Sequence, residues 1–359
     1  MATSANMNVN VHLPGCAPTN IVGQDLIVSL DRELNNFVFQ QEERLFQIWY
    51  PDSFMRIIGA DSIITTLGSS HKHLRNLVLR LFGPENLRLS MLQEVQKTAH
   101  ASLLSWLDRP CIEVKEAVSS MIFSVTAKTL ISYDSATLDG KMWKQYDAFI
   151  RGLLAFPLCI PGTAFYKCMQ GRKNVMNMLK ELVDERKEAA GRQGSMDFID
   201  VLIEELKDEK PAMSENAALN LIFLLLFASF ETTASAITAV LTFLTDNPEA
   251  LQELIEEHDY IQKGRADPNS EITWEEYKSM KFTSHDIAEP AGGASKDFMA
   301  FGGGLRLCVG ADFAKLQISI FLHCLVTKYR WKAIEGGTMV LAPGLRFPEG
   351  FHIQLLPKA

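Results

Sequence analysis

The sharpest chemical signal in the chain is Phe301-Gly-Gly-Gly-Leu-Arg-Leu-Cys-Val-Gly310, in which a cysteine follows a run of glycines and an arginine and opens a helical pattern. A helix N-terminus and nearby backbone N–H groups favour the thiolate, the metal-binding form of cysteine. Gly303, Gly304 and Gly310 permit backbone conformations and a close approach beneath a flat ligand that side chains would block. Arg306 offers a charge-assisted bond to a carboxylate on such a ligand, and Phe301 offers a ring to pack near the sulfur and exclude water. The competing reading is a core cysteine in a glycine-rich turn, because free cysteine is among the most buried residue types. The other five cysteines, Cys16, Cys111, Cys159, Cys168 and Cys324, form no CxxC pair and no disulfide framework, which fits reduced thiols in a cytosol-facing environment.

A second constellation is Ala228-Ser-Phe-Glu-Thr-Thr233, inside a long apolar stretch. An acid and a hydroxyl side by side, Glu231 and Thr232, can relay protons to a reacting oxygen, and a threonine that bonds back into its helix loosens the helix locally. Its bland alternative is a threonine-rich core helix with a satisfied glutamate. His71-Lys-His-Leu-Arg75 sets a histidine and an arginine four residues apart, hence on one helical face, where both could hold an anionic group. A solvated basic face competes with that reading, and the i, i+2 histidines point apart, which argues against a metal site. Glu85-Asn-Leu-Arg88 is an ExxR tetrapeptide far from both constellations and is read as coincidence.

The elements that must position these residues are mostly helical. Helices are expected at 71–81, 91–107, 112–131, 142–154, 171–190 and 198–208, with a short strand at 24–31 leading into a helix at 32–41. Ser214 is the expected N-cap of a helix running unbroken to Asp246, Asn247 and Pro248 restart a helix, and Thr273 to Glu276 is a capping box. Residues 311–329 give another helix, and 350–356 alternate as a strand. The fold class is mainly α with minor β. Residues 220–244 reach membrane-span length, but Glu231 near their centre makes a buried core helix the better reading. Phe223, Phe227 and Phe230 on that helix are candidates to line an apolar pocket. With 47% hydrophobic and 22% charged residues and a formal net charge of -8, the 359-residue chain reads as a globular protein without the basic surface that nucleic-acid binding needs.

Phe301 to Gly310 matches without a mismatch the signature FxxGxRxCxG, and the chain resembles the cytochrome P450 superfamily of haem-thiolate monooxygenases from about Val22 to its C-terminus. The resemblance implies haem b bound through Cys308, with Phe301, Gly302, Gly304, Arg306 and Gly310 cradling it. It implies Thr232 and Glu231 as the oxygen-activating pair, with Ser229 where the family usually has glycine. His71 stands where the family's WxxxR helix has tryptophan, and with Arg75 it would clamp a propionate. FVFQQE, LFQIWYPDSF, HKHLRN and FASFETT look most like the plant branch that hydroxylates sterols and triterpenoids. The likeness therefore implies insertion of one oxygen atom of O2 into a C–H bond of a lipophilic substrate, NADPH electrons from a separate reductase, a monomer, and the cytosolic face of the endoplasmic reticulum. No N-terminal anchor is legible, which leaves a cytoplasmic chain as the alternative. The domain expectation is an unstructured segment 1–21 and a single domain 22–359. Between Thr283 and Phe301 only the 17 residues Ser284 to Ala300 remain, without the family's ExxR helix, so an internal deletion near 284–297 is expected. The rival class is a non-catalytic remnant that binds haem only or is unstable.

Overall fold

Two compact units divide the chain, one of residues 1–48 and 291–308, the other of residues 49–290 and 309–359. The structure is a computed structural model that describes residues 16–21, 24–59, 62–134, 141–153, 155–188, 197–209, 211–267, 270–284, 299–341 and 344–358. The expected deletion near 284–297 lies, apart from Ser284, outside the described residues.

In the first unit, β1 (Cys16–Ile21) pairs antiparallel with β2 (Gln24–Ser29), in register from Cys16 with Ser29 to Ile21 with Gln24. The expectation of an unstructured 1–21 is thus corrected for 16–21, and its residues 1–15 lie outside the described residues. CAPTNI carries a proline and an asparagine, which are poor strand formers, and only its pairing with β2 makes it a strand. Helix α1 (Arg32–Gln40) begins where the Asp31 carboxylate accepts the Leu34 amide at 2.7 Å. It ends in a tight turn whose Gln41 carbonyl accepts the amides of Arg44, Leu45 and Phe46, with Glu43 at a φ of 62°.

The second unit begins with α2 (Asp52–Ile58), which no sequence signal announced, and α3 (Gly68–Leu81). A one-turn α4 (Pro84–Asn86) and a π-helical turn at Leu87–Met91 feed α5 (Leu92–Leu107). Strand β3 (Ile112–Glu113) leads into α6 (Val114–Ile131), where the Glu113 carboxylate caps the amides of Lys115 and Glu116. Next come α7 (Lys141–Leu153), α8 (Ala164–Glu188) and α9 (Phe198–Glu205), the last opened by a capping box between Asp197 and Asp200. Arg186 of α8 bonds both of those carboxylates, at 3.0 and 2.9 Å, which ties the two helices together.

The centre of this unit is α10 (Glu215–Asp246), 32 residues long and capped by Ser214 as expected. Its apolar composition gives it no polar face of its own, so neighbours cover it on most sides. By length and composition α10 could cross a membrane, and 61% of its most apolar window is buried within the protein. It is followed by α11 (Pro248–Lys263), α12 (Trp274–Ser279) with the expected Thr273–Glu276 capping box, and α13 (Ala311–Lys328). A three-stranded sheet in the order β3, β7 (Phe351–Pro357), β4 (Tyr329–Gly336) closes the unit, beside a small hairpin of β5 (Val340–Leu341) and β6 (Leu345–Arg346).

Candidate functional site

In the first unit, residues 301–308 fold into a closed turn. The Cys308 amide donates to the Phe301 carbonyl and the Gly302 amide to the Met299 carbonyl, both at 2.9 Å. Gly304 has a φ of 63°, and a Cβ there would collide with the Phe39 carbonyl at the end of α1. Only glycine meets both demands. A Cβ at Gly303 would come within 3.0 Å of the Phe39 ring, so the turn lies directly on the last turn of α1. Arg306 donates from Nε to Glu42 Oε1 at 2.6 Å, and the two side chains are only 15% and 12% exposed. Phe301 is half-buried, and Gly310 is the N-cap residue of α13. Cys308 itself is exposed and free, so a rigidly closed turn presents a soft sulfur ligand to whatever approaches it.

The second unit carries the acid and the alcohol. Thr232 is exposed and donates to the Ala228 carbonyl at 2.7 Å, the back-bond expected for that position. Ser229 and Ser235 do the same to Leu226 and Glu231, at 2.9 and 2.8 Å. Each hydroxyl that donates backward keeps an acceptor lone pair facing out. With Ala228 exposed and Ala236 half-buried, this stretch of α10 has no side chain on that face larger than threonine. Glu231, by contrast, reaches α6, where its Oε1 takes the Lys115 ammonium at 2.7 Å. Sequence reasoning missed both Lys115 and Glu42, since ion-pair partners far apart in the chain leave no local signal.

His71 is buried and Arg75 half-buried on α3, one turn apart, while His73 turns to Glu205 of α9 at 2.7 Å. Phe223 and Phe230 require a correction. Both are fully buried, Phe223 against Tyr146 and Phe149, Phe230 against Phe123, Trp143 and Tyr146, with ring centroids 5.0 to 5.7 Å apart. Dense aromatic packing between α10, α6 and α7 leaves those two rings no surface for a substrate, and only Phe227 is partly exposed.

The residues present fit a haem. In the first unit an exposed thiol on a glycine turn suits haem iron, and in the second the small-residue face of α10 bears outward lone pairs. Comparison with known proteins agrees. The family described as Cytochrome P450 matches residues 21–290 and 289–344. Cytochrome P450 87A3 of Oryza sativa subsp. japonica is 44% identical over 402 residues, covering 95% of this chain and 78% of its own length. Cucurbitadienol 11-hydroxylase of Siraitia grosvenorii is 33% identical over 403 residues, covering 95% and 84%. Among solved structures, the retinoic acid-bound cyanobacterial CYP120A1 shares the fold with a TM-score of 0.82 at 20% identity, over 96% of this chain and 92% of that one. A helical fold, a cysteine turn and a family match over most of the length converge on one conclusion: the chain belongs to the cytochrome P450 family.

Proposed function

We propose that the chain is a haem-dependent hydroxylase of a rigid lipophilic substrate of the sterol or triterpenoid class, in which Cys308 would hold the iron. The observation that carries this reading is the closed 301–308 turn with its exposed thiol. The substrate class rests on relatives whose names give cucurbitadienol 11-hydroxylation, β-amyrin 16α-hydroxylation and cholesterol 22-hydroxylation. Haem b, supplied with electrons by a separate NADPH-dependent reductase, provides the activation of O2. The protein's part would be to hold the sulfur through the Cys308 turn, to steady the propionates through Arg306, Arg75 and His71, and to present the outward lone pair of the Thr232 hydroxyl as an acceptor. Glu231 supplies the proton reservoir behind it. We place the enzyme, as a monomer, at the endoplasmic reticulum membrane on the cytosolic side. On reconstitution with haemin, Cys308→Ala is expected to abolish the thiolate-type band of the reduced, CO-bound spectrum. A band unchanged by the substitution overturns the ligand assignment. Thr232→Ala is expected to release more hydrogen peroxide per NADPH consumed, and unaltered coupling places the proton route elsewhere.

A second reading, a haem-binding chain without turnover, is favoured by one observation. The matched span is 402 residues long, more than the 359 of the whole chain, so the relative carries residues there that this chain lacks. The family match is itself broken at 289–290.

A further inference from the structure

We propose that Glu42 is a positioning residue for the Cys308 turn, an inference that rests on the ligand role of Cys308 given above. Glu42 follows α1 by two residues and sits in the tight turn that the Gln41 carbonyl closes on three amides. The Glu43 amide donates to the Phe46 carbonyl at 2.8 Å, so the backbone that carries the carboxylate is fixed on both sides. From there Oε1 accepts Arg306 Nε at 2.6 Å, and Oε2 lies 3.3 Å from where a Cβ on Gly304 would be. The carboxylate thus reaches the cysteine turn at two of its residues.

Three features make this contact directive rather than incidental. The pair is largely withdrawn from water, which strengthens a charge-assisted bond and raises the cost of losing one partner. Nε is the guanidinium donor nearest the side-chain stem, so a bond there sets the roll of the whole guanidinium plane. Glycine at 303 and 304 removes the side chains that would hold the turn off α1, and at that close approach the Glu42–Arg306 bond ties the turn to the end of the helix. Arg306 is two residues from the sulfur, and the bond from the Cys308 amide to the Phe301 carbonyl closes the same turn. Fixing Arg306 therefore fixes where the sulfur is presented. Glu42 touches neither sulfur nor haem in this role and acts through Arg306.

The test uses the whole chain without haem first. Hydrogen exchange at the Leu307 and Cys308 amides is expected to accelerate on the order of tenfold in Glu42→Gln, which keeps the shape and removes the charge, and less in Glu42→Asp. Exchange in α6 and α10 is expected to stay as it was. Unchanged exchange at 307–308 overturns the proposal, and so does a uniform acceleration across both units, which would make Glu42 a general stability residue. Haemin is then added, and the share of bound haem giving the thiolate-type CO band is expected to fall in Glu42→Gln. Faster exchange with an unaltered share overturns the positioning role. A Cys308→Ala control whose spectrum is unchanged refutes the ligand reading itself and leaves the exchange result to judge the docking by Glu42.

Discussion

At the scale of single residues, the ion pair from Lys115 to Glu231 bears most directly on chemistry. Glu231 is one residue from Thr232, yet its carboxylate is engaged by an ammonium on another helix at 2.7 Å. The two side chains are 25% and 23% exposed, between the surface pairs worth little and the buried pairs whose disruption costs several kcal/mol. Lys115→Met is expected to destabilise the chain by about 1 to 3 kcal/mol in urea unfolding, with Glu231→Gln and the double variant costing little more than either alone. Strictly additive losses would show that the pair does not form. The cysteine turn was legible because its glycines, arginine and cysteine are local and each has one physical use. The partners of Arg306 and Glu231 were not, because they lie 264 and 116 residues away. No periodicity or cap connects residues that meet only after the chain has folded.

At the scale of elements, caps proved the most legible feature and close approaches the least. Ser214 and Thr273 each accept the amide their position calls for, because a cap is decided by three or four consecutive residues, whereas Asn247 opens α11 without a side-chain bond. Helix α8 was expected to begin at Gly171 and begins at Ala164 instead. The glycine looked like a boundary and is an interface. A Cβ at Gly171 would stand 2.6 Å from the Gln145 carbonyl and 3.2 Å from the Phe149 amide, so α7 and α8 touch backbone to backbone there. In an isolated helix Gly→Ala helps by up to about 1 kcal/mol. Here overpacking wins, and Gly171→Ala is expected to cost about 1 to 3 kcal/mol and to lower the thermal midpoint. A midpoint at or above that of the unsubstituted chain would show that α7 and α8 can separate without loss.

At the scale of the whole molecule, one group of buried histidines sets how the second unit meets acid. His258 of α11 and His323 of α13 face each other with their Nδ1 atoms 3.0 Å apart, and His258 Nε2 lies 3.1 Å from the Thr283 hydroxyl. Arg265, itself paired with Glu276 of α12, lies 3.4 Å from His323 Nε2, and His100 of α5 lies 3.7 Å from Cys324. Burial pulls His258 well below the usual histidine range against the pull of Asp259. Burial pulls His323 down as well, helped by His258, Arg265, His100 and Lys328. Burial with Lys328 and Arg265 takes His100 to about 4. These groups stay neutral in the folded chain and accept protons below about pH 6.5 when unfolded, so their contribution is whole above that pH and is lost as pH falls toward 4. Each histidine that titrates only in the unfolded chain removes about 1.4 kcal/mol per pH unit in that window. Unfolding free energy is expected to drop steeply from pH 6.5 to 5, and His323→Gln, which cannot take up a proton, is expected to make that limb shallower; an equally steep limb would assign the acid loss to other groups. The first unit meets a different limit. Helix α1 has no buried residue, while Ile27, Val28, Leu30, Phe37, Leu45 and Phe46 are all exposed. Apolar surface on β2, on α1 and in the segments that follow each of them signals a missing cover, and the rice relative carries residues within the matched span that this chain lacks. With a domain's stability only about 5 to 15 kcal/mol, an uncovered unit that bears the ligand turn is expected to hold haem poorly and to aggregate. Inserting the intervening segment of the rice relative at residues 289–290 is therefore expected to raise haem occupancy severalfold and to keep the protein monomeric. Equal occupancy and equal light scattering with and without the insert would show that the chain covers its own apolar face.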